Sequence, residues 1–152
     1  MMLGRLAALL ASLWLGLVLT LGAVAAPAAF AVLERSLAGR VAGQCFRIEA
    51  QLSLGLALLL LLIHRRLACD RAAKAPEAQV SVMSAEILLV LGALFCTVLG
   101  YFALQPAMEA ARAGQGAWSF GAIHGASSAL FALKGVLLLV LAWRATAPRV
   151  PL

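Results

Sequence analysis

The chain has 152 residues, of which 64% are apolar and 12% are charged, with a formal net charge of +6 at neutral pH. In soluble globular domains about a quarter of the residues are charged, so this composition predicts an integral membrane protein whose main partner is the lipid bilayer. A nucleic-acid-binding protein would gather its basic residues on one face with interleaved aromatic residues. Here most basic residues fall in predicted loops, and we expect no nucleic-acid partner.

Four apolar stretches are long enough to cross a bilayer as helices, at about residues 6–27, 44–63, 84–105 and 118–143. A span needs about 20 apolar residues. The first stretch has a second interpretation as a cleaved signal peptide, because Arg5 precedes it, but its apolar run exceeds the about 7–15 residues of a signal peptide. The sequence predicts an all-α, four-helix transmembrane bundle that forms a single domain over residues 1–152.

Prolines, glycines and charged residues mark the predicted ends of the spans. We expect Pro27 to kink or end the first helix and Pro106 to end the third, because proline lacks the backbone N–H that a helix interior requires. Short links are predicted at residues 34–43 and 107–117, and the longest loop over residues 64–83.

Basic residues flank the four spans unequally. One side carries Arg5, Arg65, Arg66, Arg71, Lys74, Arg144 and Arg149, and the other carries Arg35, Arg40, Arg47 and Arg112. Cytoplasmic loops of membrane proteins carry an excess of lysine and arginine. Seven basic residues against four therefore predict that both termini are cytoplasmic.

The second span carries charge into the bilayer. Its uncharged part, residues 50–63, covers only about 21 Å as a helix against a hydrocarbon core of about 30 Å, so the span must include Glu49 and is expected to include Arg47. Charged side chains in lipid cost from about 2.5 kcal/mol upwards and normally face a bundle interior or a wet cavity. We expect the other helices to pack around this one.

Two opposite faces of this span are polar, and both cannot point at lipid. The faces consist of Gln44, Arg47 and Gln51, and of Cys45, Glu49 and Ser53. The fourth span starts on the same side of the membrane, so polar residues near the two starts lie at similar depth. We expect an outer polar cluster of Gln44, Arg47, Glu49, Gln51, His124, Ser127 and Ser128. It should be joined by Gly22, Pro27, Thr97, Tyr101 and Gln105.

Lys134 lies near the middle of the fourth span. Its partner is either Glu49 or Glu86, because both carboxylates lie about 9–12 Å away along the bundle axis. A lysine and carboxylate pair in lipid serves either as a proton or cation relay or as a static neutral pair. Both alternatives remain open from the sequence.

The polar cluster supports two functions. In the first, the cluster and Lys134 form an outward-facing site for a small polar or cationic species, and the protein is a binding or permeation unit that acts as a homo-oligomer. In the second, the polar groups satisfy one another, and the protein is a structural or accessory subunit that packs with other membrane proteins. Small residues allow close helix packing. The candidate packing positions are Gly22, Pro27, Gly92, Gly100, Gly121 and Gly125.

Motifs for catalysis and cofactor binding are absent from the sequence. It contains no HExxH, GxSxG or Walker-type glycine loop, and its cysteines form no CxxC pair. His64 and His124 fall on opposite sides of the membrane, which argues against a haem held by two histidines. We therefore expect no enzyme activity, no disulfide, no metal site and no cofactor.

An ordered set of glycine, proline and aromatic positions carries a family resemblance. The positions are Gly22, Pro27, Phe30, Ala38, Gly39, Gly43, Phe46, Phe120, His124 and Ser127. This pattern resembles a bacterial four-helix membrane family of unknown function that is related to eukaryotic transmembrane protein 205. The resemblance implies four spans in a bacterial inner membrane and an uncleaved first helix, with no established activity and no catalytic residue. The eukaryotic relatives are associated with drug resistance and trafficking. Lys134 is not among the family features.

Overall fold

The computed structural model describes residues 2–74 and 83–146. These residues form no strand and fold into four helices that are long and apolar enough to cross a membrane. The helices are α1, Met2–Val32; α2, Arg35–Lys74; α3, Ala85–Arg112; and α4, Phe120–Thr146. The predicted all-α bundle of four membrane-crossing helices is therefore confirmed.

The four helices pack in cyclic order and alternate in direction. α1 contacts α2 and α4, and α3 also contacts α2 and α4. α3 and α4 are antiparallel, because Arg144 bonds to Glu86 near one end of the pair while Ser127 bonds to Gly100 toward the other. Both ends of the described chain therefore lie at one end of the bundle, which we call the terminal end. The other end, where α1 meets α2 and α3 meets α4, is the link end.

The half of the bundle nearer the terminal end is closely packed. Trp14, Leu60, Val90 and Leu138, one from each helix, are completely buried in a single core. Alanines such as Ala11 lie among them and allow the helices to approach closely. Because lipid is as apolar as these side chains, van der Waals packing holds this half together.

An exposed ion pair joins α3 to α4 at the terminal end. Arg144 Nη2 lies 3.0 Å from Glu86 Oε1, and the side chains are 48% and 21% exposed. Because solvent screens the charges, such surface pairs contribute about 0–1 kcal/mol to the free energy of unfolding. We expect Arg144→Gln to lower the free energy of unfolding by less than about 1 kcal/mol, as measured by equilibrium unfolding in mixed detergent micelles. A larger loss would mean that this pair is shielded from solvent.

The predicted ends of the second helix are wrong. α2 begins at Arg35, so nearly all of the link predicted at residues 34–43 is helical. It also continues to Lys74, through the start of the predicted loop; residues 75–82 of that loop lie outside the described residues. Charged residues predict where a chain leaves the bilayer, but a helix satisfies its own backbone hydrogen bonds and can continue into water.

Neither Pro27 nor Pro106 ends its helix. The predicted end at Pro106 is therefore wrong, and of the two alternatives predicted for Pro27, a kink or an end, the helix end does not occur. A π-helical segment precedes each proline, at Leu21–Ala25 in α1 and at Val98–Ala103 in α3. Proline leaves the carbonyl group four residues earlier without its usual donor. The wider π-helical turn changes the local backbone hydrogen bonds, an adjustment that is common in membrane helices containing proline. Both helices therefore continue past the proline.

The connection between α3 and α4 is shorter than predicted. α3 continues to Arg112 and α4 begins at Phe120. Within this connection, Gly114 and Gly116 have φ angles of 72° and 104°. Residues with a Cβ atom rarely adopt such positive angles, so glycine permits this tight reversal.

Candidate functional site

A cavity of about 830 Å³ lies in the link half of the bundle. Its lining extends along α2 from Arg35 to Glu49 and along α4 from Phe120 to Lys134. Each interval corresponds to about 21 Å of helix. Arg35 is exposed whereas Glu49 and Lys134 are buried, so the cavity opens at the link end and closes near the middle of the bundle.

We define the two ends of this cavity by their residues. The mouth consists of Arg35, Arg112 and Phe120, and the floor consists of Glu49, Cys96 and Lys134. Below the floor, the packed core of the terminal half closes the bundle.

Lys134 and Glu49 form a buried ion pair at the floor. Lys134 Nζ donates to Glu49 Oε1 at 2.6 Å, and the two side chains are 2% and 4% exposed. Sequence reasoning left Glu49 and Glu86 open as partners, and the structure selects Glu49. In the described chain α2 and α4 lie diagonally opposite without close backbone contact, so a side chain as long as lysine is needed to span the bundle.

Ser53 and Trp14 complete the floor cluster. Ser53 Oγ donates to Glu49 Oε1 at 2.6 Å and accepts from Lys134 Nζ at 2.9 Å and from Trp14 Nε1 at 2.8 Å. The hydroxyl group thereby uses its one donor and two acceptor positions. The cluster joins α1, α2 and α4 around a neutral pair of charges, which is the arrangement that makes charge tolerable in a bundle interior.

Neither Ser53 nor Trp14 was among the predicted site residues. Ser53 lies four residues after Glu49, so the two share a helix face, and this spacing is the signal that could have identified it. For Trp14 the signal was weaker. A buried indole N–H normally finds an acceptor, but the sequence does not indicate which one.

The floor cluster also retains hydrogen-bonding capacity. Among the described residues, Lys134 donates two of its three N–H groups, one to Glu49 and one to Ser53. Glu49 accepts one hydrogen bond from Lys134 and one from Ser53, and both fall on Oε1. One ammonium hydrogen and the oxygen Oε2 are not used by these bonds. Both residues line the cavity, so the cluster can hold a polar group of a ligand.

Aromatic and basic side chains stack at the mouth. The guanidinium carbon of Arg112 lies 4.9 Å from the centre of the Phe120 ring. The His124 ring is parallel to Phe120, with centres 5.5 Å apart and an angle of 8° between the planes. Further in, Ser127 Oγ donates to the Gly100 carbonyl at 2.6 Å, which satisfies a backbone group of the π-helical segment in α3.

The structure brings together most, but not all, of the predicted polar cluster. The predicted residues that line the cavity are Gly22, Pro27, Glu49, Thr97, Tyr101, Gln105, His124, Ser127, Ser128 and Lys134. Gln44, Arg47 and Gln51 do not line it and are exposed on the other face of α2. Of the two polar faces of this helix, the bundle covers only the one with Glu49 and Ser53.

Five of the six predicted packing positions are glycines, and these divide into two groups. A Cβ atom at Gly22, Gly92 or Gly100 would lie 2.8, 3.0 or 3.1 Å from the nearest side-chain atom of α4. These glycines permit close approach between helices. A Cβ atom at Gly121 or Gly125 would meet no described atom within 4 Å, so the predicted packing at these positions does not occur within the bundle. The sixth position, Pro27, is exposed and lines the cavity.

The glycine groove of α3 is filled within the chain. Leu137 and Leu130 of α4 pack against Gly92 and Gly100, and Cys96 between them is only 3% exposed. The groove is therefore not available to another protein. Across residues 2–74 and 83–146, no three histidine, cysteine, aspartate or glutamate side chains gather closely enough to hold a metal ion.

Comparison with known proteins gives a family but no characterised relative. Neither the curated proteins nor the solved structures include a significant match. The profile of the family described as a domain of unknown function, DUF4149, matches residues 9–117. The matched region includes Trp14, Glu49 and Ser53 and ends before Lys134. Because the match covers well over half of the 152 residues, this chain belongs to the DUF4149 family.

Proposed function

We propose that this protein binds a small ligand in the cavity of the link half and catalyses no reaction on it. The observation that carries the proposal is a cavity with an accessible mouth and a floor closed by the buried Glu49 and Lys134. A volume of about 830 Å³ lies within the range of about 300–1,000 Å³ that is typical of small-molecule sites.

Of the two modes that the sequence suggested, binding is favoured over permeation. A permeation path would have to continue through the terminal half. There the side chains of Trp14, Leu60, Val90 and Leu138 are completely buried against one another. Transport by this chain would therefore require the core to open.

The positions that carry the family resemblance support the cavity as the functional region. All of them except Ala38 line it. They include Gly22, whose lack of a side chain makes room for Phe131, and His124, which stacks at the mouth. We extend the proposal to a relationship with eukaryotic transmembrane protein 205 on the basis of this shared pattern.

We further propose that the protein resides in a bacterial inner membrane with its terminal end in the cytoplasm. The excess of basic residues, seven against four, supports this orientation through the positive-inside rule. The cavity would then open to the extracytoplasmic side. Thiol labelling of Cys69, which is exposed near the end of α2, tests the orientation: in intact cells it should react with a permeant maleimide and resist an impermeant one.

Filling the cavity tests the binding function. Gly39 and Gly43 line it, and a Cβ atom at either position would meet no described atom within 4 Å. We expect Gly39→Leu/Gly43→Leu to abolish binding without loss of stability, since leucine also favours the helix by up to about 1 kcal/mol per site. Native mass spectrometry after purification in mild detergent should show a small-molecule adduct on the wild type and not on this variant.

A matched variant controls for the added leucines. Gly16 and Gly55 also have open space around them and do not line the cavity. Gly16→Leu/Gly55→Leu should keep the adduct. An adduct that survives in the cavity-filling variant, or is lost in both, would show that the ligand does not bind in this cavity.

The exposed polar face of α2 favours a second candidate function, that of an accessory subunit. Arg40, Gln44, Arg47 and Gln51 recur at intervals of four, three and four residues and all point away from the bundle. Polar side chains at this depth normally face protein. In this alternative the face contacts another copy of the chain or a different membrane protein, and Gln44→Leu/Gln51→Leu should reduce the mass of the complex. An unchanged mass would argue against this alternative.

A further inference from the structure

The charges of the cavity lining are unbalanced. Three cationic side chains, Arg35, Arg112 and Lys134, line the cavity against one anionic side chain, Glu49. Lys134 and Glu49 neutralise each other at the floor. The uncompensated charge therefore lies at the mouth, where neither arginine forms an ion pair with a described residue.

The carboxylates nearest to the mouth do not compensate it. Glu34 and Glu109 are exposed at the link end and do not line the cavity; Glu109 Oε1 accepts a hydrogen bond from Gln105 at 3.2 Å. Two further arginines, Arg40 and Arg47, lie at this end outside the cavity lining, so the link end carries four arginines against two glutamates. The link end therefore keeps an excess of positive charge, and Arg35 and Arg112 are the part of it that lines the cavity.

Phenylalanine side chains line the cavity from the mouth inward. Four of the six phenylalanines of the chain line the cavity: Phe30, Phe46, Phe120 and Phe131. The rings of Phe46 and Phe131 pack edge to face with centres 5.2 Å apart. Such walls favour an apolar ligand body.

We infer that the ligand is an amphipathic anion, a molecule whose carboxylate or phosphate group binds Arg35 and Arg112 while its apolar body lies against the phenylalanine walls. This inference rests on the proposed binding function. Guanidinium groups recognise carboxylate and phosphate oxygens through paired hydrogen bonds. Phe120 holds the Arg112 guanidinium at the mouth. The same chemistry occurs in anionic bilayer lipids and in dissolved anionic amphiphiles.

Separate titrations with two probes of matched chain length test the charge of the ligand. Delipidated protein in a neutral detergent is titrated with dodecyl phosphate or dodecyltrimethylammonium, and adducts are measured by native mass spectrometry. We expect dodecyl phosphate to bind at least about tenfold more tightly, since a charged hydrogen bond contributes about tenfold in affinity. A parallel titration with phosphatidylglycerol and phosphatidylcholine of identical acyl chains tests a bilayer lipid as the source.

The double substitution Arg35→Gln/Arg112→Gln tests whether the anionic group binds at the mouth. This variant should lose dodecyl phosphate or phosphatidylglycerol binding by about tenfold or more, and should fold normally because both arginines are exposed. Arg40→Gln/Arg47→Gln removes the same charge from exposed positions outside the cavity and should change the affinity by less than about twofold.

The outcomes separate this inference from the proposed function. Anion binding that depends on Arg35 and Arg112 supports both, and the preferred anion, phosphatidylglycerol or dodecyl phosphate, identifies the source. Tighter binding of dodecyltrimethylammonium that the cavity-filling variant abolishes would overturn the inference and leave the proposed function standing. Equal losses in the two arginine variants would also overturn it. If no probe binds in a way that the cavity-filling variant prevents, both fail.

Discussion

Replacement of Lys134 by methionine is expected to lower the free energy of unfolding by about 3–5 kcal/mol. Methionine has a similar length, so the floor stays filled. The loss arises because Glu49, only 3% exposed, would lose the ammonium group that lies 2.6 Å from Oε1, and a buried carboxyl group left without its partner is strongly unfavourable. Ser53 Oγ would also lose the donor at 2.9 Å. Equilibrium unfolding in mixed micelles of SDS and a neutral detergent measures this difference.

A double substitution tests whether charge causes this loss. Lys134→Met/Glu49→Gln removes both charges and keeps an acceptor for the Ser53 hydroxyl. Replacing a complete buried pair with neutral groups is often nearly without cost, so the double variant should recover most of the stability that the single variant loses. If the double variant is as unstable as Lys134→Met, lost packing rather than an uncompensated carboxylate explains the effect. The exposed pair at Arg144 and Glu86 provides the comparison with a solvated pair.

Gly100→Leu is expected to lower the free energy of unfolding by about 1–3 kcal/mol or more. A Cβ atom at Gly100 would lie 3.1 Å from Leu130 Cβ and 3.8 Å from the Ser127 carbonyl oxygen. Neither atom can move without shifting α4, because both are part of or directly attached to its backbone. Separation of the helices would also stretch the hydrogen bond from Ser127 Oγ to the Gly100 carbonyl, which is 2.6 Å long.

Gly125→Leu is the matched control for this substitution. Gly125 is exposed on α4, and a Cβ atom there meets no described atom within 4 Å. Its replacement should leave the stability of the isolated protein unchanged or slightly higher, since leucine favours the helix. Equal losses of stability in the two variants would contradict the close contact between α3 and α4. Loss of a larger complex in Gly125→Leu alone would favour the accessory-subunit function.

The structure also explains how an inward-facing charge pair coexists with an outward-facing polar face on the same helix. α2 presents Glu49 and Ser53 to the bundle, where Lys134 and Trp14 satisfy them. Gln44 and Arg47 lie on the opposite face, earlier along α2 and therefore closer to the link end. A long side chain such as arginine can extend from there toward water.

The sequence by itself determined that four apolar helices form a membrane bundle, because hydropathy and length are properties of each segment alone. It did not determine which residues share a depth. The predicted start of the second span at residue 44 placed Glu49 level with His124 and Ser127, whereas α2 begins at Arg35 and Glu49 lies level with Lys134. Helix rise per residue is constant, so depth follows from position in the chain only where the start of each helix is known.

Only the tertiary structure decided which face of each helix points inward and how the helices end. The choice between the Glu49 face and the Arg47 face, the pairing of Lys134 with Glu49, and the role of Trp14 all depend on the rotation of a helix about its own axis. Packing against neighbouring helices sets that rotation. The continuation of α1 and α3 past their prolines likewise depends on π-helical turns. One of these turns is held by Ser127 of a neighbouring helix, a contact that no local pattern contains.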